Sequence, residues 1–306
     1  MSFEDLMAHA QDLQYLAAKH AIDNREAEPE YARNGVDGYY ALVIPPLFEP
    51  YSKIQDPKVY DPLIGDLRTV MAGLSNGQAN ADALNSNEVY PANPTLAKIT
   101  TAGDMMKGWT GEAGMAFKAK FLDPFPMYSR NQYILTAVLK AGLDAHKAMW
   151  ASARHDIDMI AEGTIHAFDN AGCTNKNDWN VGFTILSSLA AVSAAFLPVA
   201  GTAALTATII AAASQTAAVL PPDIPDAPKE AGGTGEGVTA LQIINTMKDG
   251  IGKLTSVIQK TEAKISAGLT TLTGNVNPTL FEAPRPAIAD TPPGSVTGDK
   301  GLGGHE

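Results

Sequence analysis

The chain has 306 residues, 45% of them hydrophobic, which is enough for a packed core and leaves room for two domains. Its 22 Lys and Arg against 33 Asp and Glu give a net charge of −11, which repels a phosphate backbone and removes nucleic acid from the expected partners. Aromatics are only 7%, Ala recurs throughout and β-branched runs are few, so the expected fold class is all-α, with helices packed closely on small side chains.

Cys173 stands alone, so no internal disulfide and no thiolate metal cluster is expected. The first residues, Ser2-Phe3-Glu4-Asp5-Leu6, are acidic and already amphipathic. They lack the basic and apolar regions of a cleaved signal peptide, so any export is expected to be signal-peptide-independent.

Ser2 followed by Asp5 reads as a helix start, and Phe3, Leu6, Ala10, Leu13 and Ala17 predict an amphipathic helix over 3–20. From Arg25 to Pro62, six prolines interrupt the chain while five tyrosines and Phe48 supply apolar weight. The expectation there is an irregular segment wrapping a helical body. Leu63, Leu67, Val70, Met71 and Leu74 restore a helical stripe, which fades through Ser75–Asn87 before Pro91 and Pro94. Residues 95–108 read as helix again. After Gly111, the spacing of Ala113, Phe117 and Phe121 puts all three on one face of a further helix, which Pro124 and Pro126 stop or kink.

From Ser129 onward Ile134, Val138, Ala141, Ala145, Met149, Ala153, Ile157, Ile160, Thr164 and Phe168 form one unbroken stripe. It predicts a helix of roughly 40 residues. Asp158, Glu162 and His166 share a face of it near His155, and are read as a solvated polar face rather than a metal site. No charge occurs between Val181 and Pro222, which reads as two apolar helices in a hairpin divided by Pro198 and Gly201. Ile224–Gly237 is a Pro/Gly-rich linker, and its Gly232–Gly237 run lacks the flanking strand and the Lys of a phosphate loop. Val238, Leu241, Ile244, Met247, Ile251, Leu254, Ile258, Ile265, Leu269 and Leu272 then predict a long amphipathic helix with coiled-coil character, set to cover the apolar hairpin. From Asn275 a disordered tail is expected.

Trp109-Thr110-Gly111, set between helical stretches and followed by Glu112-Ala113-Gly114-Met115-Ala116-Phe117, resembles the signature of the WXG (Trp-x-Gly) family of type VII secretion substrates. The resemblance covers about residues 95–170 and is to the larger actinobacterial members. It implies a helical hairpin turning at Trp109 and Gly111, with Ala113, Phe117 and Phe121 on the partner-binding face. Two departures stand out: Pro124 and Pro126 interrupt the second helix, and no Tyr is followed four residues later by Asp or Glu, the family's export element.

The expected architecture is thus an elongated helical bundle around a WXG-type hairpin, with an apolar hairpin and a loose tail. Its boundaries are 1–58 N-terminal helix and wrapping segment, 59–172 hairpin domain, 173–222 apolar hairpin, 223–237 linker, 238–275 long helix and 276–306 tail. No Gly-x-Ser-x-Gly elbow or other nucleophile motif is present, so a non-enzymatic interaction protein without cofactors is expected. Its partners would be a helical protein or the secretion machinery, in a homo- or hetero-oligomer. The alternatives are a membrane-active effector using 181–222 and a cytosolic adaptor of the secretion system.

Overall fold

The computed structural model describes residues 3–77, 90–105, 112–171, 239–274 and 281. Trp109, Gly111, Cys173 and the uncharged stretch 181–222 lie outside them. Among the described residues there are helices and no strand, so the fold is all-α. The helices are α1 (Phe3–Asp23), α2 (Gly35–Ser52), α3 (Asp61–Leu74), α4 (Pro94–Met105), α5 (Glu112–Phe117), α6 (Phe125–Ala171) and α7 (Ala240–Gly274).

Two compact units emerge. The first gathers the described residues up to 60 together with 145–171 and 239–266; the second gathers 61–144, 267–274 and 281. The boundary therefore falls inside α6 rather than at its end.

In the first unit α1 buries Leu6, Ala10, Leu13 and Ala17, as its spacing predicts. The core continues through α2 and α6 and takes in Ile243, Ile244, Met247 and Leu254 of α7. The stripe of α7 expected to cover an apolar hairpin thus packs, over these residues, against α1, α2 and α6.

The segment from Arg25 to Pro62, expected to be irregular, is largely helical. Its centre is the 18-residue helix α2, which runs through Pro45, Pro46 and Pro50. A proline inside a helix costs about 3 kcal/mol through a lost hydrogen bond and a clash with the carbonyl four residues back. Here those carbonyls belong to Ala41, Leu42 and Pro46, all exposed, so water can serve them. On the opposite side Tyr40, Ile44, Phe48 and Tyr51 are buried at helical spacing. At roughly 1.5–3 kcal/mol each, their burial matches the proline penalty.

In the second unit, α3 buries Ile64 and Met71, whereas Leu63 and Val70 are about half exposed, so the buried face is turned from the predicted stripe. Met71 packs with Tyr133, Ile134 and Ala137 of α6. Asn93 ties the start of α4 to the end of α3: its Nδ2 donates to the Gly73 carbonyl (2.6 Å), and its Oδ1 accepts from the Thr95 amide (2.9 Å). With Pro94 next, this is a favoured N-terminal cap. α6 begins similarly: the amides of Met127 and Tyr128 donate to the Pro124 carbonyl, and Pro126 occupies a position whose amide needs no helical partner. The α6 stripe is buried from Ile134 to Phe168, apart from the half-buried Val138.

Phe281 carries the one described point of the expected tail. It is half-buried, and its carbonyl accepts from Gln132 Nε2 at 2.6 Å.

Candidate interaction face and polar corner

α5 passes without a break into a π-helical turn, Lys118–Leu122, closed by the Asp123 amide donating to the Lys118 carbonyl at 2.9 Å. Along this stretch the Phe117 and Phe121 rings stack with centroids 5.2 Å apart and an interplanar angle of 25°. Phe121 continues to Phe125 at 6.0 Å. Such pairs add about 0.5–1.5 kcal/mol beyond the area they bury. All three rings are half-buried, and Met105, Met115 and Met127 nearby in sequence are exposed at 79%, 57% and 43%. Lys118 and Lys120 are the only charged residues from Ala113 to Leu122. The row of half-buried phenylalanine rings can offer apolar contact to a partner.

Of the residues singled out in the sequence, Phe117 and Phe121 are thus brought together. Ala113 lies on the same helix, α5; Trp109 and Gly111 are outside the described residues. Phe125 escaped the sequence reading although it follows Phe121 by four, because Pro124 and Pro126 read only as a break.

A second constellation lies in the first unit, where α1 ends in a Schellman motif: the Arg25 amide donates to the Ile22 carbonyl (3.0 Å) and the Glu26 amide to the Ala21 carbonyl (2.9 Å). Arg25 sits in the left-handed region with φ 53°, and so turns Glu26 inward. The Glu26 side chain is only 6% exposed. Its carboxylate accepts from the Ala240 amide (2.9 and 3.1 Å) and the Tyr31 hydroxyl (3.2 Å), and lies 3.1 Å from His20 Nδ1. Tyr40 lies 2.7 Å from Tyr31 and passes its proton towards it, since Tyr31 donates to Glu26. Burial pushes the Tyr31 phenol up to about 12, and pushes Tyr40 up as well.

The Ala240 amide is among the first of α7, where free N–H groups and the helix dipole favour an anion. Thr239 and Gln242 add a capping box: the Gln242 amide donates to Thr239 Oγ1, and the Thr239 amide to Gln242 Oε1, each at 3.2 Å.

A third cluster surrounds His146. The Trp150 indole N–H donates to its Nδ1 (3.2 Å), the Tyr60 hydroxyl lies 3.2 Å from the same atom, and Nε2 is 3.8 Å from Glu262. An indole only donates, so Nδ1 carries the lone pair and the neutral ring holds its proton on Nε2.

Asp158 pairs with His9 of α1 at 3.1 Å, while His155, Glu162 and His166 are exposed. No group of three His, Cys, Asp or Glu among the described residues is arranged to hold a metal. No described helix is long and apolar enough to cross a membrane.

No protein-family profile, curated protein or solved structure matches this chain.

Proposed function

We propose that the chain is a non-enzymatic helical interaction protein of the type VII secretion pathway, either an exported substrate or a partner-binding component, acting through the face of Ala113, Phe117 and Phe121. The observation that carries the reading is the half-exposed stack of Phe117 on Phe121, which begins six residues after Gly111 of Trp109-Thr110-Gly111. The helices on both sides of that tripeptide, α4 and α5, are consistent with a WXG-type hairpin. The test is export: the chain should reach the culture filtrate of its source cell and be lost from it when the secretion ATPase is inactivated. Secretion that persists without the ATPase, or none at all, removes the substrate reading. A photo-crosslinking residue at Phe121 should then trap a helical partner; no adduct there removes the proposed face.

A second reading, a membrane-active effector, is favoured by one observation: no charged residue occurs from Val181 to Pro222. It requires the purified chain to float with neutral liposomes and to lose that property when a charge is introduced at Ala203 or Leu205. A cytosolic adaptor would show neither export nor flotation.

A further inference from the structure

Along its central seam, hydrophobic patterning leaves the axial position of α7 underdetermined. Ile244, Met247, Ile251, Leu254, Ile258, Thr261 and Ile265 form one buried seam of it at alternating steps of three and four, with Ala240, Ile243 and Gly250 buried beside the seam. A slide of seven residues moves Ile244 to the place of Ile251, Met247 to that of Leu254, Ile251 to that of Ile258 and Ile258 to that of Ile265. Seven residues make nearly two full turns, with about 20° of drift, so the apolar face still points inward. The displacement is about 10 Å at 1.5 Å per residue.

Two polar contacts distinguish these positions. Glu26 accepts from the Ala240 amide, and only the first turn of a helix has amides without a partner four residues back. In the opposite slide Met247 takes the place of Ala240 and Glu26 would face a mid-helix amide already bonded within α7; in the slide described above the start of the helix moves two turns past Glu26, and either way a nearly buried carboxylate loses the Ala240 amide. Further along, the Tyr51 hydroxyl lies 2.6 Å from Thr255 Oγ1 and donates to the Ile251 carbonyl at 3.3 Å. A slide of seven in either direction replaces Thr255 by Glu262 or Lys248, which sets a charge against a buried phenol. Drawing a charge in beside this phenol costs its hydration, the same logic by which a single polar core residue fixes coiled-coil register.

We propose that Glu26 and Tyr51 form a two-point latch that selects one of the registers open to α7. Glu26 reads where the helix starts, and Tyr51 reads a polar position further along. The number of residues between the end of α6 and the start of α7 is fixed by the sequence, so the latch also sets where the far end of that connection is held.

The test uses the full chain carrying Cys173→Ser, with spin labels at exposed Gln11 of α1 and Gln259 of α7 and distances read by pulsed electron resonance. The chain with Glu26 and Tyr51 intact should give a single distance. Glu26→Gln with Tyr51→Phe should add a second distance population, shifted by up to about 10 Å, the rise of two turns. One unchanged distance in that double variant overturns the latch. Should the double variant lose its far-ultraviolet helical signal, the near-isosteric single variants are read the same way. A second population in either supports the proposal, and its absence from both overturns it.

Discussion

Arg25 occupies a position built for glycine. At φ 53° it is the left-handed residue closing the Schellman motif of α1, a conformation that costs a residue with a Cβ roughly 1–2 kcal/mol. Its side chain is exposed, so little is lost by removing it. Arg25→Gly should raise stability by about 0.5–1 kcal/mol, after the extra unfolded-state freedom of glycine is deducted. Chemical denaturation measures this, and a loss of stability would show that the guanidinium makes an unseen contribution.

The tyrosines beside it give a prediction in pH. Burial holds the Tyr31 phenol near 12 in the fold against 10.0 in the open chain. The folded state favours the neutral phenol, so this contribution is complete below pH 10 and is lost as pH rises through 12. The shift corresponds to about 2–3 kcal/mol at most. Tyr40, pushed up further, adds in the same direction. Stability should fall steeply above pH 10, and Tyr31→Phe should make that fall shallower. An equal slope in both proteins would detach alkaline unfolding from this corner. None of this was legible in the sequence: His20, Glu26, Tyr31 and Ala240 follow no spacing rule, and only the fold brings a carboxylate from the α1 end to the start of α7.

At the scale of elements, long apolar repeats were readable and short proline-rich ones were not. The α6 stripe from Ile134 to Phe168 was recoverable because its ten positions reinforce one another, and one face of a long helix has few ways to be satisfied. α2 was missed because a local rule, that proline ends a helix, outweighed the spacing of Tyr40, Ile44, Phe48 and Tyr51. Tertiary burial of those four side chains overrides the local penalty. The start of α7 was readable in principle, since Thr239-Ala240-Leu241-Gln242 is a capping box directly after a glycine-rich run.

Pro46 is exposed and so is Leu42, whose carbonyl it leaves without a helical donor. Pro46→Ala restores that hydrogen bond and relieves the clash, at the loss of some stiffness in the unfolded chain. Stability should rise by about 1–2 kcal/mol. Tyr40→Ala, on the fully buried side, should instead cost about 3–5 kcal/mol. If Pro46→Ala destabilises the protein, the helix depends on the geometry that proline imposes, and the balance drawn between penalty and burial is wrong.

For the whole molecule, chain order and packing order diverge. The first sixty residues share a core with parts of α6 and α7, more than eighty positions away in sequence. Removal of 238–275 would therefore strip Ile243, Ile244, Met247 and Leu254 from the first unit, and its consequence is loss of that core. The C-terminal region follows the same pattern on a smaller scale. Its Pro/Gly-rich composition from Asn275 reads as a loose tail, since such a stretch buries too little apolar area to offset chain entropy. Phe281 is the exception: it is half-buried, and its carbonyl is held by Gln132, 149 residues earlier. One hydrogen bond contributes about 0.5–1.5 kcal/mol, and a partly buried phenylalanine adds an amount of similar size. A chain ending at Gly274 should therefore melt a few degrees lower than the full chain. A chain ending at Pro284 keeps Phe281 and should melt with the full chain. Gln132→Ala should lower the melting point of the full chain but not that of the chain ending at Gly274, because the partner is then already gone. Equal melting of the two truncations would mean that Phe281 adds nothing to the fold, and that composition alone describes the tail.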